Sequence, residues 1–161
     1  MFNEGPHVAL TKARLIARLA EQGCEIVREA DAHIVVDRLR VEPVRLSGAR
    51  RAFELPAGGR AIALRSNVFN PAHTVAESMD SRELGLCVGS LQIEGAAVAL
   101  DCDERCGSGW HDAEFVDGRF SHRWTTGASR LPPGGRNVIV DLVGDGYYWR
   151  GAENDAAALA A

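Results

Sequence analysis

The sequence predicts a mainly β fold: an antiparallel β-sandwich, jelly-roll-like in its many short strands, with one α-helix at the N-terminal side. Three observations carry this. Hydrophobic residues recur at helical spacing before Gly23 and at every second position after it. The later runs are short, rich in β-branched or aromatic residues, and punctuated by Gly, Pro, Ser or Asp. No sustained strand–helix alternation follows, which argues against a Rossmann-like sheet. With 161 residues, 46% of them hydrophobic, the chain reads as a single domain, 1–161, long enough to bury a core.

The helix is expected over about 11–22. Leu15, Ile16 and Leu19 share one face, Thr11 stands where an N-cap belongs, and Gly23 suits a left-handed C-terminal cap. The sandwich is expected over about 32–150. Its strands are read at His33–Asp37, Leu39–Glu42, Arg51–Leu55, Ala61–Ser66, Gly85–Ile93, Ala97–Leu100, Phe120–Trp124 and Asn137–Leu142. Two long connections, Asn67–Arg82 and Asp101–Gly109, are the places where a sandwich usually presents ligand-binding loops. The segment 151–161 is read as a flexible tail, able to form at most a turn or two of helix.

A net charge of −4 gives no overall attraction for nucleic acid or anionic membrane. No run reaches the length of a membrane span, and the first residues lack the basic and apolar regions of a signal peptide, so a cytoplasmic location without membrane insertion is expected. Four cysteines are too few for a disulfide scaffold. Cys24 and Cys87, in apolar surroundings, read as small hydrophobes. Cys102, Cys106 and His111 have the spacing of weak metal-ligand candidates, with His122 or His73 to complete a set. Tight C-x2-C pairs are missing, so no metal is expected, and a disulfide or free thiols remain the alternatives for Cys102 and Cys106.

The densest chemistry lies in Gly109-Trp110-His111-Asp112-Ala113-Glu114 and Arg123-Trp124-Thr125-Thr126-Gly127. Trp110 and Trp124 could stack on a sugar face while His111, Glu114 and Arg123 supply directional hydrogen bonds. The competing reading places Trp124 in the core and pairs Arg123 with Glu114 across neighbouring strands. Alternation in the Phe120–Trp124 run predicts that Trp124 faces inward and Arg123 outward. No nucleophile elbow, phosphate loop or dinucleotide fingerprint is present, so no cofactor is expected and catalysis is reduced to a carboxylate-based hydrolase built from Glu114, His111 and Asp112. His33, inside an apolar strand, reads as a hydrogen-bonded sheet residue.

From about Ala13 to Trp149 the order of motifs resembles the accessory domain found beside Hint (Hedgehog/intein-type) autoprocessing domains in bacterial proteins. The segments that carry the resemblance are Asp37-Arg38-Leu39-Arg40-Val41-Glu42-Pro43, Phe53-Glu54-Leu55-Pro56, Asp80-Ser81-Arg82-Glu83-Leu84-Gly85, Gly109-Trp110-His111-x-x-Glu114 and Arg123-Trp124-Thr125-x-Gly127. The last two are also similar to a motif of accessory domains in polysaccharide and glycosyltransferase proteins. Ala113 stands where that pattern often has proline, and a Hint nucleophile segment is missing, so self-splicing is not implied. The expected function is a non-catalytic recognition module for carbohydrate or glycoconjugate, with a protein-interaction module as the alternative. Its partner is accordingly a glycan or a protein.

Overall fold

The computed structural model describes residues 6–150. The tail at 151–161 and the first five residues, read above as lacking the features of a signal peptide, lie outside the described residues. Two helices and thirteen strands follow in the order α1 (Pro6–Glu21), β1 (Glu25–Val27), β2 (His33–Val36), β3 (Leu39–Val41), β4 (Arg45–Ser47), β5 (Arg50–Glu54), β6 (Ile62–Arg65), α2 (Pro71–Thr74), β7 (Cys87–Ile93), β8 (Ala96–Ala97), β9 (Trp110–Val116), β10 (Arg119–Thr125), β11 (Ala128–Arg130), β12 (Asn137–Gly144) and β13 (Tyr148–Arg150). The protein is mainly β, with antiparallel sheets and an N-terminal helix.

The chain divides into two compact units. One comprises Met1–Glu29, Phe69–Glu83 and Tyr147–Ala161. In it, β1 pairs with β13, and α1 ends as expected at Gly23: the Gly23 N–H donates to Ala20 O, the Cys24 N–H to Leu19 O, and Gly23 has φ +84°. That is the six-to-one and five-to-two pattern of a Schellman cap. The start of α1 differs from expectation. Pro6, with its preset φ and missing N–H, opens the helix, and Thr11 is internal, its hydroxyl donating to His7 O at 2.9 Å instead of capping. The loop expected at Asn67–Arg82 contains α2, capped by the Asn70 side chain with Pro71 in the first turn.

The other unit, Ala30–Val68 and Leu84–Gly146, holds two antiparallel sheets. The smaller has the order β11-β6-β2-β3; the larger runs β4-β5-β12-β7-β10-β9, with β8 paired to β7. Residues two apart on β2, β6 and β12 enter one core in a sandwich-like arrangement, Ile34 and Val36, Ile62 and Leu64, Val138 and Val140, joined by Val88 and Leu91, three apart on β7. Full burial of each such side chain contributes about 1.5–3 kcal/mol.

Three hairpins turn on pairs of residues with positive φ: Asp37-Arg38, Glu94-Gly95 and Asp117-Gly118. Two positive φ values in succession match the right-handed twist of the flanking strands. Arg38 adopts this conformation at φ +79° without glycine's freedom, and the Asp37 carboxylate offsets the strain by accepting the backbone N–H groups of Arg60 and Ala61. The strand expected over Ala97–Leu100 pairs only through Ala97, in β8. Beyond it the Val98 N–H still donates to Leu91 O, and the chain then leaves the sheet with Leu100 buried in the core.

Candidate functional site

The Gly109–Gly127 motif forms the β9–β10 hairpin, with β9 at the edge of the larger sheet. Its register contains two irregularities. Phe120 stands opposite Phe115 and His122 opposite Glu114, so Ser121 is an extra residue in β10. Arg123 stands opposite Ala113 and Thr125 opposite Trp110, so His111 and Asp112 together face Trp124. Phe120 packs against the core, and uninterrupted alternation would send His122 and Trp124 inward after it. The extra residue reverses the parity, because each inserted residue exchanges the two faces of a strand. Arg123 is therefore 4% exposed and Thr125 1%, while Trp124 is half-buried on the opposite face. The expected orientations of Arg123 and Trp124 are inverted.

Arg123 is fully engaged. Its Nε donates to His111 O at 2.5 Å, Nη1 to Leu100 O at 3.0 Å and Nη2 to Asp103 Oδ1 at 2.5 Å. It thereby ties the segment after β8 to β9, and the expected pair with Glu114 is replaced by these contacts. Glu114 instead meets His122 across the hairpin, Oε2 to Nε2 at 3.1 Å. On its other side, His122 places Nδ1 3.0 Å from the Ser121 hydroxyl. Trp124 lies edge-on to His122 at 6.1 Å.

Trp110, opposite the buried Thr125, lies on the inward face, packs against the core, and donates its indole N–H to Arg130 O at 3.2 Å. Trp110 and Trp124 thus occupy opposite faces of the hairpin and cannot form one stacking platform. Trp110 and Arg123 share the inward side; Glu114 and Trp124 flank His122; His111 contributes its backbone carbonyl to Arg123.

All four cysteines are free thiols. Burial pushes the Cys87 thiol up to about 12, with the Glu114 charge adding to the shift. Cys102 and Cys106 close one turn, the Cys106 N–H donating to Cys102 O at 3.2 Å. Burial raises the Cys106 thiol, against the opposing pull of the Arg123 guanidinium. Among the described residues no three His, Cys, Asp or Glu side chains are gathered to hold a metal ion, so Cys102, Cys106 and His111 do not form such a set. His33 is a sheet residue whose Nδ1 lies 2.7 Å from Asp31 O.

Beside the motif is a cleft of about 700 Å3, one wall of which comes from the Asp101–Gly109 connection expected to present a ligand-binding loop. Ala97, Val98 and Ala99 border it with Glu104–Gly107 on one side and Arg130–Pro133 on the other, and Arg60 also lines it. Its volume is in the range of small-molecule sites. Arg130 is held on both backbone groups: its N–H donates to Ser108 O at 2.8 Å and its carbonyl accepts from Trp110. Gly107 packs so tightly on Arg130 that a Cβ there would lie 2.8 Å from Arg130 Cβ. Gly109 has φ +89° and leaves room for Ala128 O, which a Cβ would meet at 2.0 Å. The opposite wall hangs from Arg123 through Leu100 and Asp103. The lining residues Arg60, Arg105 and Arg130 stood in the sequence without a periodic mark; Arg105 lay within the long Asp101–Gly109 connection, and the signal beside Arg130 was Leu131-Pro132-Pro133, a run that cannot continue a paired strand.

No family model, curated protein or solved structure matches the chain.

Proposed function

We propose that the protein is a non-catalytic recognition module that seats a saccharide or glycoconjugate group in the cleft between Glu104–Gly107 and Arg130–Pro133. The observation that carries this reading is the use made of the motif. Trp110 braces one wall through Arg130 O, Arg123 braces the other through Leu100 O, and Gly107 and Gly109 permit the close approach of both. Preformed walls lower the ordering cost of binding. Apolar surface from Val98, Leu131 and the two prolines would meet the C–H faces of a sugar, and exposed guanidiniums would meet its oxygens. In this reading Trp110 supports the site and does not stack on the ligand. The resemblance to Hint-associated accessory domains agrees with a module that serves a larger assembly.

Titration of isotopically labelled protein with a saccharide panel tests the proposal. Chemical-shift changes confined to Ala97–Ala99, Glu104–Gly107 and Arg130–Leu131 are expected, and weaker binding by Arg130→Ala. Changes centred on Trp124, or none with any saccharide, would overturn it. One observation favours the protein-interaction alternative: Phe115 and Val116, 55% and 59% exposed, end an edge strand. Loss of a protein partner on Phe115→Ser with Val116→Ser, with the cleft unaltered, would select that reading.

A further inference from the structure

The charge around the cleft runs against that of the whole chain. The protein carries a net −4, yet three guanidiniums, Arg60, Arg105 and Arg130, line the cleft against one carboxylate, Glu104. All three arginines are exposed, and neither Arg105 nor Arg130 enters any of the salt bridges that the described residues make. The other basic group close to this wall, Arg123, is buried and already faces Asp103. Arg60 lies beside the Asp37 carboxylate, so the cationic character of the cleft that no salt bridge among the described residues offsets comes from Arg105 and Arg130.

Each of these arginines also stands on fixed backbone. Arg60 is held by the Asp37 carboxylate, which accepts its N–H and that of Ala61. Arg105 belongs to the turn whose N–H groups return to Cys102 O, and Arg123 holds the chain at Leu100, just before that turn, and at Asp103 within it. Arg130 is clasped by Ser108 and Trp110. Cations held at fixed roots around an apolar floor favour an anion with an apolar or ring-shaped body, since a guanidinium pairs two of its N–H groups with two oxygens of a carboxylate or phosphate.

We infer that the cleft selects acidic saccharides, its ligand bearing a carboxylate or phosphate on a sugar ring, with Arg105 and Arg130 as the residues that determine this specificity. This rests on the cleft being the saccharide site. The same site would discriminate against neutral sugars, which leave the guanidiniums to water.

The test compares methyl glucuronide, glucose phosphate and methyl glucoside by titration of the whole chain at low and raised salt, with Arg105→Gln and Arg130→Gln singly and together. Thermal midpoints of the variants, whose altered side chains are exposed, verify that they fold. At low salt an acidic member should bind at least about tenfold more tightly than the glucoside, and the difference should shrink as salt rises. The double variant should bring the acid down to the affinity of the neutral sugar. Whichever acid binds more tightly identifies the anionic group. Equal binding of acidic and neutral sugars at the cleft would overturn the inference and leave the saccharide site standing. Acid binding unchanged in the double variant would overturn the role of the two arginines. Binding of none of the three at the cleft would overturn both this inference and the site it rests on.

Discussion

Replacement of Arg123 by alanine should be among the most damaging single changes in the larger sheet, and the structure says how its cost divides. The side chain is 5% exposed and its guanidinium satisfies two backbone carbonyls, His111 O and Leu100 O. Each buried polar group left without its partner costs about 1–3 kcal/mol. The ion pair to Asp103 adds little, because the Asp103 side chain is 80% exposed and solvent screens it; such pairs contribute about 0–1 kcal/mol. Water reaching the vacated space would satisfy part of what is lost, so a total of about 3–5 kcal/mol is expected for Arg123→Ala, and under about 1 kcal/mol for Asp103→Asn. Equilibrium unfolding in urea, at unchanged slope, measures both. An Arg123→Ala cost below about 1 kcal/mol, or an equal cost for Asp103→Asn, would refute the assignment of Arg123 as a buried brace, because the exposed ion pair would then be its main contact.

Gly118→Ala, in open space at φ +72°, should cost about 1–2 kcal/mol, and Gly109→Ala more than that, since it combines φ +89° with a collision at Ala128 O; paired thermal melts compare them. Asp141 is held below the usual carboxylate value by the Arg50 guanidinium and the Ser90 hydroxyl. Its contribution is complete above the unfolded-state value of about 3.9 and is lost as pH falls through the lower folded-state value. Asp141→Asn should therefore flatten the acid side of a stability profile below about pH 4 and, at neutral pH, cost under about 1 kcal/mol. The Cys87 thiol, buried and raised to about 12, should resist alkylation at mildly alkaline pH until the protein unfolds; mass spectrometry of native and denatured samples reads this directly, and rapid native labelling would contradict the burial.

Local rules in the chain were enough to predict a mainly β protein with antiparallel strands and a helix ending at Gly23. Alternation such as Ile34/Val36 and Ile62/Leu64 repeats within a few residues, and the Gly23 cap needs only its own turn, so neither depends on distant partners. The beginning of α1 was placed at Thr11, although Pro6 carries the preset φ that suits a first helical turn. The short strands β1, β4, β11 and β13 have too few residues to show a period; β1, β11 and β13 take their conformation from partners remote in sequence, and β4 from the adjacent β5.

The candidate site depended on tertiary structure at every step. Ser121 shows no mark in the sequence of the bulge it occupies, yet that one residue exchanges the faces of Arg123 and Trp124 and separates the two tryptophans. The β9–β10 pairing, not the spacing of the motif, decides that Glu114 meets His122. Likewise, Arg60, Arg105 and Arg130 are separated by dozens of residues and come to line one cleft because hydrogen bonds to the Asp37 carboxylate and from Arg123 and Trp110 fix the three segments that bear them. Periodicity determines which side of a regular strand is apolar; register, and the pairing of elements far apart in the chain, decide which polar groups meet.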